Sequence, residues 1–116
     1  MKVEGNPITR DEYVRHVLRA YCKTPGTTGC SRRSDRLLAT QLYEQGVPLI
    51  AVENAFLLAA ARRLFRSNDT APLNTIRSLA YFVPVIHEVL QLQVGQDYFD
   101  YLRWKIDRLP HSTQAR

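Results

Sequence analysis

PLIAVENAFLLAAARRLFR, residues 48 to 66, decides the fold. Between Val47 and Ala61 the only charge is Glu53. Proline is favoured at the first position of a helix, so a helix opening at Pro48 and running to about Arg66 is expected. A helix apolar on nearly every side belongs at the buried centre of a domain. Ala59, Ala60 and Ala61 offer a smooth strip that a neighbouring helix can approach closely.

The flanking segments also carry a helical period. Thr9 and Glu12 have the spacing of a capping box. Tyr13, Val14, Val17, Leu18 and Tyr21 then form one apolar stripe, with Arg15, Arg19 and Lys23 on the opposite face. A second helix is expected from Ser31 or Ser34 to Gln45, with Leu37, Leu38, Leu42 and Tyr43 inward and Gly46 closing it. From Leu73 to Leu92 the residues Leu79, Phe82, Val83, Ile86 and Leu90 keep helical spacing across Pro84, where a kink or restart is expected. A last helix begins near Gln96 or Asp97 with Tyr98, Tyr101, Leu102, Ile106 and Leu109 inward. The expectation is therefore an all-α compact bundle of about five helices. Residues 9–109 form its single helical domain, between an N-terminal extension 1–8 and a flexible tail 110–116.

At 116 residues and 45% apolar, the chain suits one core. Its longest apolar runs, AFLLAAA (55 to 61) and LAYFVPVI (79 to 86), fall far short of the ~20 residues a membrane span needs. The opening MKVEGNPITRDE has no apolar signal segment, so a cytoplasmic protein without membrane contact is expected. Cys22 and Cys30 flank the loop KTPGTTG. A disulfide there is conceivable, but reduced thiols are the expectation in that compartment. Adding His16 and His87 to them does not give the C-x-x-C spacing of a zinc site, so no metal and no other cofactor is expected.

Catalytic patterns are missing as well. There is no glycine-rich phosphate loop, no nucleophile elbow and no HExxH. His87 and Glu88 are adjacent and point about 100° apart on a helix. Asp97, Asp100 and Asp107 interleave with Arg103, Lys105 and Arg108, as an ordinary charged surface does. The chain reads as non-enzymatic, with no small-molecule substrate.

Charge points to a partner. The net charge is +5, and arginine dominates the basic residues. CSRRSDR, residues 30 to 36, puts three arginines where a helix N-terminus would favour acids. Residues 10 to 36 carry seven Lys/Arg against three Asp/Glu. Arg62, Arg63, Arg66 and Arg77 face only Asp69, whereas residues 97 to 108 are neutral. Local basic excess is the footprint of a phosphate-binding surface, and arginine's fork matches phosphate oxygens in pairs. An arginine-rich codon bias gives the same composition, so that alternative stays open. The candidate nucleic-acid contacts are Arg15, Arg19, Lys23, Arg32, Arg33, Arg36, Arg62, Arg63, Arg66, Arg77 and Tyr81, with DNA expected rather than RNA.

Residues 38 to 56, LATQLYEQGVPLIAVENAF, have a helix-turn-helix-like pattern with Gly46 in the turn and Val52 inward. Its recognition positions would be Ile50, Ala51, Glu53, Asn54 and Leu57, of which only Asn54 suits a base edge. Residues 42 to 90 are more broadly similar to the C-terminal helical domain of DnaD-like primosome and phage replication proteins. Tyr81, Val85, Ile86 and Val89 match that family's tyrosine-led helix, although its tryptophan is Val89 here and Pro84 interrupts the helix. The resemblance implies DNA binding during replication, with Arg77 and Tyr81 as contacts. A competing reading is a protein–protein adaptor or homodimer assembled through Tyr98, Phe99, Tyr101 and Trp104, since such aromatics anchor interfaces.

Overall fold

A computed structural model describes residues 8–66, 73–92 and 94–108. Most of the N-terminal extension, the loop 67–72, Leu109 and the tail 110–116 lie outside the described residues, and so do the expectations placed on them. Five α-helices follow in order: α1 (Arg10–Lys23), α2 (Arg33–Glu44), α3 (Leu49–Leu64), α4 (Val83–Gln91) and α5 (Gln96–Asp107). A 3-10 turn, Leu79–Phe82, leads into α4. The described residues contain no β-strand, only an isolated bridge between Thr27 and Ile76. No described helix is long and apolar enough to cross a membrane.

α3 is the central helix, as its composition demands. Val52, Ala55, Phe56 and Ala59 join residues of α1, α2 and α4 in the main core. Leu58, Ala60 and Ala61 form a smaller core with Phe99, Leu102 and Ile106 of α5. The alanine run thus serves both sides. Tyr21, Phe56 and Phe82 meet in the main core, with Phe56 and Phe82 edge to face at 4.8 Å. Such ring pairs contribute about 1 kcal/mol beyond area burial.

α1 follows its pattern closely. The Thr9 N–H donates to Glu12 Oε1 and the Glu12 N–H to Thr9 Oγ1, both at 3.2 Å. Its whole apolar stripe is buried, and the Tyr13 hydroxyl donates to Val47 O at 2.9 Å. Burial also pushes the Tyr13 pKa up, which keeps that hydroxyl a donor.

Three elements differ from expectation. In α2, Leu37 is exposed, whereas Asp35, Ala39 and Leu42 are buried. Asp35 sets that phase: positions 35, 39 and 42 share one face, and Leu37 lies about 200° from Asp35. Gly46 closes α2 at φ +78°, where glycine carries no Cβ penalty, with Gly46 N–H on Tyr43 O and Val47 N–H on Leu42 O. The segment before α4 is not helical from Leu73; residues 73–78 form no helix, and Pro84 sits in the first turn of α4, the restart that was expected there. Leu90 is exposed. In α5 the inward stripe is Phe99, Leu102 and Ile106, and Tyr98 and Tyr101 are exposed. Phe99 is therefore a core residue and not a surface anchor.

Candidate nucleic-acid interface

The arginines at the start of α2 are reconciled with the helix dipole by one buried acid. Asp35 is only 1% exposed. Its Oδ2 accepts the Arg32 N–H at 2.9 Å, which caps α2, and its Oδ1 accepts the Leu79 N–H at 2.9 Å, which starts the 3-10 turn. A carboxylate in the first turn also suits the positive end of the helix. Arg32 is thus free to send its side chain outward, where Nη2 donates to Arg77 O at 3.1 Å. The buried Tyr21 hydroxyl has no hydrogen-bond partner among the described residues. Burial, with the Asp35 charge second, pushes its pKa up and keeps it neutral.

The loop between α1 and α2 is pinned to the segment before α4. Gly26 and Gly29 take φ +95° and +85°, letting the chain turn twice in a few residues. The Ile76 N–H donates to Gly26 O at 2.7 Å and the Thr28 N–H to Ile76 O at 3.1 Å. Arg63 of α3 clamps the same junction. Its Nη2 donates to Asn74 O at 2.8 Å and its Nη1 to the Tyr81 hydroxyl at 3.4 Å. A Cβ built on Gly26 would lie 2.9 Å from Arg63 Nε, so the guanidinium occupies the space of the absent side chain.

This framework sorts the candidate residues into two concave surfaces. Arg15 and Arg19 of α1 and Arg36 of α2 line one groove of about 550 Å³ with Asp11, Ser31 and Cys22. Arg63, Arg77 and Tyr81 line a second, of about 980 Å³, with Asn74 and Ser78. Arg62 and Arg66 border its neighbour, again beside Arg63 and Tyr81. The bond from Arg32 to Arg77 O connects α2 to the second surface. Arg33 is exposed at the first position of α2.

Two candidates are placed differently from the rest. Lys23 lines a separate depression beside Glu53, Arg103 and Asp107. Arg62 forms a two-pronged ion pair with Glu88, one prong from Nη1 to Oε1 at 2.9 Å and the other from Nη2 to Oε2. That bond, with the Arg62 charge, holds the Glu88 carboxyl below the ordinary range. In α3, Asn54 is buried, with its Nδ2 donating to Gln96 Oε1 at 3.1 Å and its Oδ1 accepting from Gln96 Nε2 at 3.3 Å. It is thereby taken from the base-reading role the helix-turn-helix pattern offered.

The structurally decisive residues that sequence reasoning passed over are Asp35 and Gly26. Asp35 carried a signal, an acid three residues after the helix cap. Gly26 carried none beyond its place in a turn. Cys22 and Cys30 are free thiols, and the described residues gather no group of three metal-ligating side chains. No protein-family model matches the chain, and neither a curated protein nor a solved structure matches it.

Proposed function

We propose that this chain is a non-enzymatic accessory protein that binds single-stranded DNA along its arginine surface. One observation carries the reading: Arg63 of α3 lines one open concavity with Arg77 and Tyr81 of the segment that leads into α4, and Arg32 is bonded to the same segment. Arginines neutralise phosphates and release counterions, and an exposed ring stacks on a base. Tyr81 is 46% exposed and lies near the Arg63 guanidinium, the pairing that single-strand binders use. Groove reading by α3 is disfavoured because Asn54 is occupied by Gln96. The similarity to DnaD-like proteins singles out Arg77 and Tyr81, and it adds a replication or mobile-element setting. The free thiols suit a reducing cytoplasm.

Fluorescence anisotropy with mixed-sequence single strands and duplexes, titrated with salt, tests this reading. Binding should be tighter to the single strand. Arg77→Ala should lower the slope of log affinity against log salt by about 0.7. Tyr81→Ala should weaken single-strand binding by about 1–3 kcal/mol and leave duplex binding nearly unchanged. Absence of binding at low salt, or variants indistinguishable from the parent, overturns the reading.

A further inference from the structure

α5 has two faces, and among the described residues only one is packed against the rest of the chain. Phe99, Leu102 and Ile106 dock it on α3. The opposite side carries Asp97, Tyr101, Trp104 and Arg108, four residues that fall on one line at helical spacing. Tyr101 and Trp104 are 51% and 54% exposed, and their rings stack at 6.2 Å and 25°. Tyr98, Leu92 and Val94 extend the exposed apolar surface along the helix and into the turn before it. A stacked aromatic pair left to water, with further apolar side chains around it, marks an interaction surface.

The charge order along α5 identifies what covers it. On the outward line of the helix the acid, Asp97, sits at the start and the cation, Arg108, at the end; Asp100, Arg103, Lys105 and Asp107 lie to either side of that line. Arg108 lies over the Trp104 ring at 4.8 Å and so borders the aromatic patch, whereas Lys105 lies closer to Phe65 at the end of α3, 4.8 Å, than to Tyr101, 5.9 Å. The helix dipole alone would favour this order of charge. It would not favour leaving Tyr101 and Trp104 in water between the two charged ends.

We infer that a second copy of this chain covers the face, with the two α5 helices antiparallel about a two-fold axis at the level of Leu102 and Arg103. In that register Asp97 of one copy lies opposite Arg108 of the other, and Tyr101 opposite Trp104. Every contact is made twice, as an isologous interface requires. A parallel pair would set Asp97 against Asp97 and Arg108 against Arg108. One helix pair of this length buries less than a standard interface, so a dimer with Kd in the range of about 1–100 μM is expected. The inference is independent of DNA binding.

Analytical ultracentrifugation of the full chain across that concentration range tests it, with the sole tryptophan, Trp104, as a fluorescence reporter of burial. Concentration-dependent dimers and a blue shift of Trp104 emission are expected. Asp97→Arg and Arg108→Asp should each weaken the dimer about tenfold, because each change acts twice in the interface. The double variant should restore it. Tyr101→Ala with Trp104→Ala should give a monomer with unchanged far-UV circular dichroism. A monomer at every concentration overturns the inference and leaves the face to a different protein. A dimer that the charge swaps do not affect, or that the double swap does not rescue, overturns it equally.

Discussion

The body made by α1 to α4 and the helix α5 both turn candidate binding side chains outward, but they are held in different ways. The body is cross-linked by polar bonds between distant segments: Asp35 to Leu79, Tyr13 to Val47, Arg63 to Asn74 and Thr28 to Ile76. α5 rests on α3 through three buried apolar side chains and the amide pair of Asn54 with Gln96. The contrast follows from what each surface needs. The arginine surface is assembled from a loop, two helices and the segment before α4, so its geometry depends on directional bonds. The outward line of α5 comes from a single helix, so helical spacing alone aligns it.

The comparison breaks if the cross-links prove dispensable. Asp35→Ala removes the acceptor of one buried and one part-buried N–H group and should destabilise the chain by about 3 kcal/mol in urea unfolding, since bonds to charged groups contribute about 1.5–3 kcal/mol each. A loss below about 1 kcal/mol would make the buried carboxylate incidental. Leu102→Ala sharpens the difference from the other side. It should destabilise by about 2–3 kcal/mol, and hydrogen exchange should speed up in α5 while α1 keeps its protection. Uniform acceleration in all helices would show that α5 unfolds with the body. The smallest effect belongs to the exposed pair of Arg62 with Glu88. Glu88 has a folded pKa below its ordinary 4.5, so its contribution is present above that pH and is lost as pH falls through the folded value. Thermal midpoints of the parent and Glu88→Gln should differ slightly at neutral pH and converge in acid. A constant gap would assign the effect to something other than this ion pair.

The sequence made the helices legible, and most of the site only as a list of residues. The α1 cap and stripe depend on neighbours within one or two turns, and both were readable. The phase of α2 was not, because Asp35 reads as an ordinary first-turn acid. Its burial depends on Leu79, which is far along the chain. α5 offered two apolar stripes, one through Phe99 and one through Tyr101, and periodicity cannot rank them. The arginine clusters were visible as charge. That Arg62 would be claimed by Glu88, Asn54 by Gln96, and Arg63 by Asn74 was not, since each partner comes from another part of the chain.

Gly26 carries a consequence for how this chain can change over generations. Any side chain introduced there meets two separate obstacles, a backbone at φ +95° and a volume already filled by Arg63. The second disappears once residue 63 is shortened; the first does not. Substitutions at the two positions are therefore not independent. Arg63→Ala should lessen the part of the Gly26→Ala penalty that comes from crowding and leave the part that comes from the backbone, so the two substitutions are coupled.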